Sequence, residues 1–274
     1  MDIKDILVPL HPHRDDRAAC GFAARLAAVH GARVLGLCLT PLPELEVEDC
    51  YAMGAAAAHE VMSRMEREKE AVRAKAEAAF HAAMAACDSD WDVTDPGELT
   101  AETALRARVQ DLVVLTRPAT PDGHDLRLAE CLIRLGGTPC VMVPPEWDPR
   151  APVDHVAVAW NGSRQAKRAM DDALPLLKAA DRVSVVLLGH ADSLPAAHQG
   201  LIDHLRRKGV NADIEFVPKG RDTVGVALLR WCGGHCVDLL VMGAFGHTPQ
   251  TERWLGGTTW TALTSAHLPV LMSC

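Results

Sequence analysis

The feature that most constrains the fold is an internal repeat of short buried strands and helices. Four apolar runs rich in Val, Ile and Leu recur in the same order in the two halves: 3–10, 32–39, 111–116 and 138–143 in the first, and 153–160, 182–189, 238–243 and 268–273 in the second. Ala- and Leu-rich segments typical of helices lie between them. Strands that are apolar throughout and alternate with helices predict a parallel sheet covered by helices on both faces.

The break between the halves is the segment VPPEWDPRAPVD at 143–154, whose four prolines disfavour helix and strand alike. A chain of 274 residues is long enough for two domains of ordinary size. The sequence therefore predicts two tandem α/β domains with open parallel sheets, at 1–146 and 152–274.

Composition excludes several classes of function. A formal net charge of −8 argues against a general nucleic-acid binder or a binder of anionic membranes, since both need a basic surface. No run of 18 apolar residues indicates a transmembrane helix, and the start MDIKDILVPL is typical of a first strand rather than a signal peptide. The nine cysteines are odd in number and scattered, which favours reduced thiols in a cytoplasmic protein.

The stretch VMGAFGHTPQTERWLGGTT at 241–259 contains glycines at fixed places after a buried strand. Gly243 ends that strand, and Gly256 and Gly257 precede a segment that we expect to be a helix. Backbone N–H groups at a helix start suit an anion, and the hydroxyl of Thr258 or Thr259 adds a donor. From spacing alone, these glycines fit a phosphate loop or simple turns equally well.

The whole arrangement resembles a known family. The spacing Gly-x2-Gly-x9-Gly, here Gly243, Gly246 and Gly256, followed by a helix and the strand LPVLMS, resembles the nucleotide-binding motif of the universal stress protein family. The resemblance covers nearly the whole chain as two tandem copies, and only the second copy carries the motif. It implies Rossmann-like, adenine nucleotide alpha-hydrolase-like domains that bind ATP, with Mg²⁺, through phosphates placed on this loop.

The resemblance also implies where the rest of the nucleotide lies. The adenosine would contact the ends of the first two strands of the second half, at AWNGS (159–163) and at Leu188. Asn161 stands where family members often have an aspartate, and Gly257 where a serine commonly follows the third glycine; an amide still donates and accepts hydrogen bonds. The implied nucleotide-binding residues are Ala159, Asn161, Leu188, Gly243, Gly246, His247, Gly256, Gly257, Thr258 and Thr259.

The first half departs from the motif. Arg117 and Pro118 stand where the second half has Gly243 and Ala244, and proline has no N–H to donate. A glycine pair at 136–137 is retained, but it lies directly before the last strand rather than at a helix start. We expect the first half to keep the fold, to lack the phosphate loop and to pair its strand 138–143 with 268–273. Whether two chains form a homodimer stays open.

Three other features have a simpler interpretation beside a functional one. Cys232, His235 and Cys236 are zinc-ligand types, but four ligands are needed and a helix end is favoured. His11 and His13 lie where the first half would hold a ligand, yet loop histidines are commonly just solvated. The long helical segment 55–87 is either a partner or lid surface or, as we favour, an ordinary covering helix.

No catalytic residue and no metal ligand is predicted. The sequence lacks a nucleophile elbow, a Walker lysine and a zinc-protease motif. The leading interpretation is a cytoplasmic, regulatory stress protein that binds ATP in its second half. The alternatives are a scaffold that binds no nucleotide, suggested by Asn161 and Gly257, and a slow ATP hydrolase in which water attacks the bound nucleotide.

Overall fold

The computed structural model describes residues 2–11, 13–39, 55–94, 99–117, 124–188, 197–218, 220–246 and 257–274. Its strands are β1 (Asp5–Leu10), β2 (Arg33–Cys38), β3 (Ser89–Val93), β4 (Leu112–Thr116), β5 (Cys140–Val143), β6 (His155–Ala159), β7 (Arg182–Leu188), β8 (Asp213–Val217), β9 (Leu239–Gly243) and β10 (Val270–Ser273). Its helices are α1 (Arg17–His30), α2 (Ala55–Ala83), α3 (Leu99–Ala107), α4 (His124–Cys131), α5 (Arg164–Asp172), α6 (Leu174–Ala179), α7 (Ala197–Arg207), α8 (Val224–Gly234) and α9 (Gly257–Ser265), with a π-helical turn at Leu132–Gly136.

All ten described strands form one open sheet in the order β3-β2-β1-β4-β5-β10-β9-β6-β7-β8. Neighbours within each half are parallel, whereas β5 and β10 are antiparallel, with Leu271 opposite Val141. The predicted open α/β fold and the predicted pairing of the last strands are therefore confirmed. Because the central pair is antiparallel, the parallel strands of the two halves run in opposite directions. Their carboxyl ends therefore lie on opposite sides of the sheet, and we call each row of carboxyl ends the carboxyl edge of its half.

The duplication extends to individual hydrogen bonds. Oδ2 of Asp111 accepts hydrogen bonds from the backbone N–H groups of Lys4 (2.7 Å) and Asp5 (3.1 Å). Oδ2 of Asp238 does the same for residues 154 (3.0 Å) and 155 (2.8 Å). In each half, the residue before the fourth strand thus fixes the start of the first strand through a charged acceptor, a strong type of hydrogen bond.

The core consists of two apolar layers, one on each face of the sheet, and both run through the two halves. Val8 of β1 and Val158 of β6 belong to one layer, while Leu7 and Ala157 belong to the other. Alternate residues of a strand point to opposite faces, so a sheet covered on both faces needs apolar residues at every position. This explains why the central strands are apolar throughout.

Several predicted elements need correction. The segment QAKRAMDDALPLLKAAD at 165–181, whose composition predicts one helix, instead falls in two, because Pro175 has no N–H for a continuing helix and lies at the start of a new one. Helix α2 ends at Ala83, four residues before the predicted end. The outer strands β3 and β8 were missed because acidic residues interrupt their apolar pattern. Charges on edge strands are expected, since they discourage pairing with other chains.

The proline-rich segment between the halves packs on the first half. Trp147 contacts the edge of Phe22 of α1, with ring centroids 5.3 Å apart. A Cβ on Gly21 would collide with the ring of Pro149, so the absence of a side chain at Gly21 allows this segment to pack against α1. The domain boundaries at 146 and 152 stay a prediction, since one sheet spans both halves.

Two further observations concern the described residues only. Eight cysteines are described; all are free thiols, and four of them are buried. No helix in these ranges has the length and apolar character needed to cross a membrane.

The paired carboxylates predict a matched effect on stability. Asp111→Ala and Asp238→Ala should each lower the free energy of unfolding by about 1.5–3 kcal/mol, because each removes a charged acceptor shared by two N–H groups. Asp→Asn at either position keeps a neutral acceptor oxygen and should cost less. Urea unfolding monitored by circular dichroism measures the difference. A loss below about 0.5 kcal/mol for either Ala variant would contradict the equivalence of the two halves.

Candidate functional site

The register of the second half brings the predicted site residues to one edge. Ala159 at the end of β6 lies opposite Val186 of β7 on one side and Met242 of β9 on the other. Leu188 and Gly243 follow these partners at the ends of their strands. Since neighbouring strands lie about 4.8 Å apart, the three strand ends span roughly 10 Å. This edge is the usual ligand position in open α/β sheets.

Asn161 shapes the loop between β6 and α5. Its Oδ1 accepts a hydrogen bond from the N–H of Ser163 at 3.1 Å, and Gly162 between them has a φ of 74°. Ser163 then caps α5 by accepting from the N–H of Ala166 at 3.1 Å. The amide oxygen of Asn161 therefore holds the turn, and the residue is exposed, so its amide NH₂ can still donate a hydrogen bond.

Gly243 has a packing role that glycine spacing alone did not reveal. A Cβ at this position would lie 2.5 Å from the backbone N of Ala166 and 2.5 Å from the backbone C of Gln165. Such distances are not tolerated, so the absent side chain lets the first turn of α5 contact the end of β9. The first glycine of the motif thus sets a helix N-terminus beside the strand end.

Gly246 lies in a more open setting. A Cβ there would lie 3.6 Å from Gln165 Oε1, an ordinary contact, and the residue is exposed. The preceding Phe245 has a φ of 54°, unusual for a bulky residue, and its N–H donates to Thr259 Oγ1 at 3.4 Å. The buried Thr259 hydroxyl thus joins α9 to the end of β9 rather than facing outward only.

Helix α9 begins at Gly257, as expected from the sequence. Among the described residues, no atom would lie within 4 Å of a Cβ on Gly257, which is exposed, while Thr258 is half-buried. The first N–H groups of any helix lack intrahelical acceptors, so this end can bind an anion. His247 and Gly256, also predicted for the site, lie outside the described residues.

The first half contributes a residue that sequence reasoning missed. The guanidinium of Arg134 lies over the ring of Phe245, 3.9 Å from the ring centroid. Arg134 belongs to the turn before β5, and the amino end of β5 lies at the same edge as the carboxyl end of β10. The predicted pairing of β5 with β10 could have indicated that residues before β5 lie near the end of β9, but the pairing alone did not identify Arg134.

The equivalent edge of the first half is built differently. Arg117 N–H donates to Val143 O (2.7 Å) and Ala244 N–H to Ser273 O (2.8 Å), so Arg117 matches Ala244. The predicted alignment of Arg117 with Gly243 is wrong by one residue, and Thr116 takes the place of that glycine. The Thr116 hydroxyl donates to Asp16 Oδ1 at 2.5 Å.

The guanidinium of Arg117 is also engaged elsewhere. Its Nη1 donates to the carbonyl of Thr264 near the end of α9 at 2.9 Å, and its Nη2 lies 3.3 Å from Glu146 Oε1. Gly137 caps the π-helical turn with a φ of 73° just before β5, so the retained glycine pair is not at a helix start, as expected.

The candidate metal ligands do not form a site. Cys232 is buried in α8, where burial raises the pKa of its thiol to about 12, and His235 stacks on Trp231 with centroids 4.3 Å apart. Among the described residues, no group of three or more His, Cys, Asp or Glu side chains is arranged to hold a metal ion. The helix-end interpretation of WCGGHC is supported, since α8 ends at Gly234.

Comparison of the structure with known structures identifies the fold. A universal stress protein from Archaeoglobus fulgidus DSM 4304 superposes with a TM-score of 0.73 at 15% identity, over 98% of this chain and 97% of that one. The fold is that of a tandem universal stress protein. A functionally unknown protein from Pseudomonas aeruginosa PAO1 shares it with a TM-score of 0.57 at 14% identity, over 99% of this chain and 92% of that one.

A candidate universal stress protein from Pseudomonas aeruginosa UCBPP-PA14 has the same architecture. Its TM-score is 0.56 at 16% identity, over 99% of this chain and 93% of that one. No protein-family model matches the sequence, and a search of curated proteins finds no match either. The universal stress protein fold is therefore visible in the structure at sequence identities too low to show more than the fold.

Gly243 and Gly246 predict different changes in stability when each is replaced by alanine. Gly243→Ala should lower the free energy of unfolding by about 1–3 kcal/mol, because the new Cβ collides with the backbone of α5. Gly246→Ala places its Cβ in ordinary contact and should change stability by less than about 0.5 kcal/mol. Urea unfolding without added nucleotide compares them. Equal losses in both variants would show that Gly243 has no special packing role.

Arg134 predicts a link between the halves. The left-handed conformation of Phe245 costs roughly 1 kcal/mol, and the stacked guanidinium offsets about 0.5–1 kcal/mol of it. Arg134→Ala should therefore speed amide hydrogen exchange at Phe245 and Gly246 by about two- to fivefold. Glu130→Gln removes the ion pair to Arg134 Nε (3.0 Å) but keeps the stacking, and should leave these rates unchanged. Unaltered exchange in Arg134→Ala would mean that the stacking does not stabilise this loop.

Proposed function

We propose that the protein is a regulatory stress protein that binds ATP, with Mg²⁺, at the carboxyl edge of the sheet in its second half. The phosphates lie against the first turn of α9 at Gly257 and Thr258 and near Gly246. The adenosine lies toward Ala159, Asn161 and Leu188. Occupancy by ATP changes the surface that protein partners meet at this edge.

The observation that carries the proposal is the pairing of two helix N-termini at one strand end. Because Gly243 has no side chain, α5 begins directly against the end of β9, and the Phe245–Thr259 hydrogen bond holds the start of α9 close by. Two helix dipoles and their free N–H groups then favour a multiply charged anion between them. The exposed amide of Asn161 supplies a neutral donor for a ribose hydroxyl.

A second argument is the contrast between the two halves. The first half has the same strands, yet Thr116 and Asp16 are hydrogen-bonded to each other where the second half has Gly243. The buried Asp16 carboxylate at this place disfavours a multiply charged phosphate group. Among the described residues, a glycine stands at this place only in the second half, where the sequence also resembles the family motif.

The proposal predicts a thermal shift. Mg-ATP at about a hundred times its Kd should stabilise the protein by about 2.7 kcal/mol and raise Tm by roughly 5–10 °C. Gly257→Asp should keep or slightly raise the Tm of the free protein, because a carboxylate suits a helix N-terminus and no atom of the described residues is close enough to clash. The same carboxylate should remove most of the ATP-dependent shift by repelling phosphate. Differential scanning fluorimetry measures both effects.

Gly200→Asp is the matched control for this experiment. Gly200 lies in the first turn of α7, a Cβ there would also have no atom of the described residues within 4 Å, and the substitution adds the same charge. It should keep the full ATP shift. A wild-type shift retained in Gly257→Asp would exclude α9 as the phosphate site. No shift in the unaltered protein at millimolar Mg-ATP would instead favour the scaffold function.

A further inference from the structure

The first half contains a cavity of about 610 Å³ that the nucleotide proposal does not use. It opens between the loop after β1, the first turn of α1 and the inner side of the long helix α2. It lies at the carboxyl edge of the first half, and the antiparallel centre of the sheet places this edge opposite the candidate ATP site. The volume falls within the range usual for sites that bind small organic molecules, about 300–1,000 Å³.

The floor and one wall of the cavity are apolar. Leu10, Cys20 and Phe80 are buried beneath it, and α2 adds Val72 and Ala76. Burial raises the pKa of the Cys20 thiol to about 12, so this group is neutral and behaves as a small apolar side chain. The floor therefore suits an aromatic ring or a short hydrocarbon chain.

The two carboxylates at the mouth are already engaged. Asp16 accepts hydrogen bonds from the Thr116 hydroxyl (2.5 Å), from Arg14 Nε (2.9 Å) and from the His11 N–H (2.9 Å). Asp15 is paired with Arg17, whose Nη2 lies 2.6 Å from Oδ2, and this hydrogen bonding lowers the pKa of the Asp15 carboxyl. Neither carboxylate is available to hold a cationic ligand.

Lys75 supplies a positive charge at the wall of the cavity. Its side chain lies on the cavity wall and is exposed, and within the described ranges no acidic group pairs with it. The positions three and four residues away on α2, at 71, 72, 78 and 79, are all Ala or Val. A positive charge beside an apolar floor fits a ligand with an apolar body and one anionic group.

We propose that this cavity binds a small apolar monoanion, with its body on Leu10, Cys20 and Phe80 and its charge at Lys75. A nucleoside triphosphate fits poorly, because its several negative charges would lie close to the carboxylates of Asp15 and Asp16 at the mouth. The two edges of the sheet then serve different ligands. This site does not depend on whether the second half binds ATP.

Two probes with nearly the same aromatic body test the proposal on the full chain. The anionic probe is 1-anilinonaphthalene-8-sulfonate and the neutral one is N-phenyl-1-naphthylamine, each titrated by fluorescence. We expect the anionic probe to bind at one site per chain and more tightly than the neutral probe. Lys75→Ala should weaken the anionic probe about three- to fivefold, in line with one exposed charge pair, and leave the neutral probe unchanged. Saturating Mg-ATP should displace neither probe.

Two further variants complete the test. Lys69→Ala removes a lysine from the same helix outside the cavity and should change neither affinity. Ala76→Trp fills the cavity and should abolish binding of both probes, with circular dichroism confirming that the helices are intact. Anionic-probe binding that survives both Ala76→Trp and Lys75→Ala would place the probe elsewhere and overturn the proposal. Equal affinity for the two probes would exclude the anionic preference.

Discussion

The structure depends on the antiparallel contact of β5 with β10 at the centre of the sheet. Val141 and Leu271 lie opposite each other there, and both are fully buried. In a single copy, β5 or β10 would leave a row of N–H and C=O groups at an open edge, which invites association with other chains. Pairing them within one chain satisfies both rows and makes each apolar layer continuous through the two halves. The outer edges are left to β3 and β8, which carry acidic residues instead.

The same contact determines which side chains of the first half reach the second half. Since β5 and β10 run in opposite directions, the segment that precedes β5 reaches the edge where β9 ends. Arg134 therefore stacks on Phe245, and on the other side Arg117 donates to the carbonyl of Thr264 at the end of α9. The first half, which lacks the glycine motif, therefore still has a structural role. It supports the loop and the helix that hold the candidate phosphate site of the second half.

The fold was largely predictable, because it rests on signals that are local in sequence. Buried parallel strands are apolar throughout, and α1 ends at Gly31 in a left-handed conformation, which is a common role of glycine after a helix. Elements set by partners distant in sequence were harder to predict: β3 and β8 pair on one side only, and their charges hide the strand pattern. In the site, the edge position of Ala159, Leu188 and Gly243 followed from the repeat. Arg134 did not, since its role exists only once two halves are packed together.

The glycines of the motif differ in why they are small, and the sequence alone does not show the difference. Gly243 is required by the backbone of α5, whether or not any ligand is present, whereas Gly257 faces open space, and nothing in the described protein requires it to be small. Loss of the first glycine is therefore not a local change. In the first half, Thr116 at that place is accompanied by Asp16, which hydrogen-bonds its hydroxyl and draws in the loop after β1 through the N–H of His11. The two halves therefore differ at this place in the loop as well as in the strand, because Asp16 binds both Thr116 and the backbone of His11.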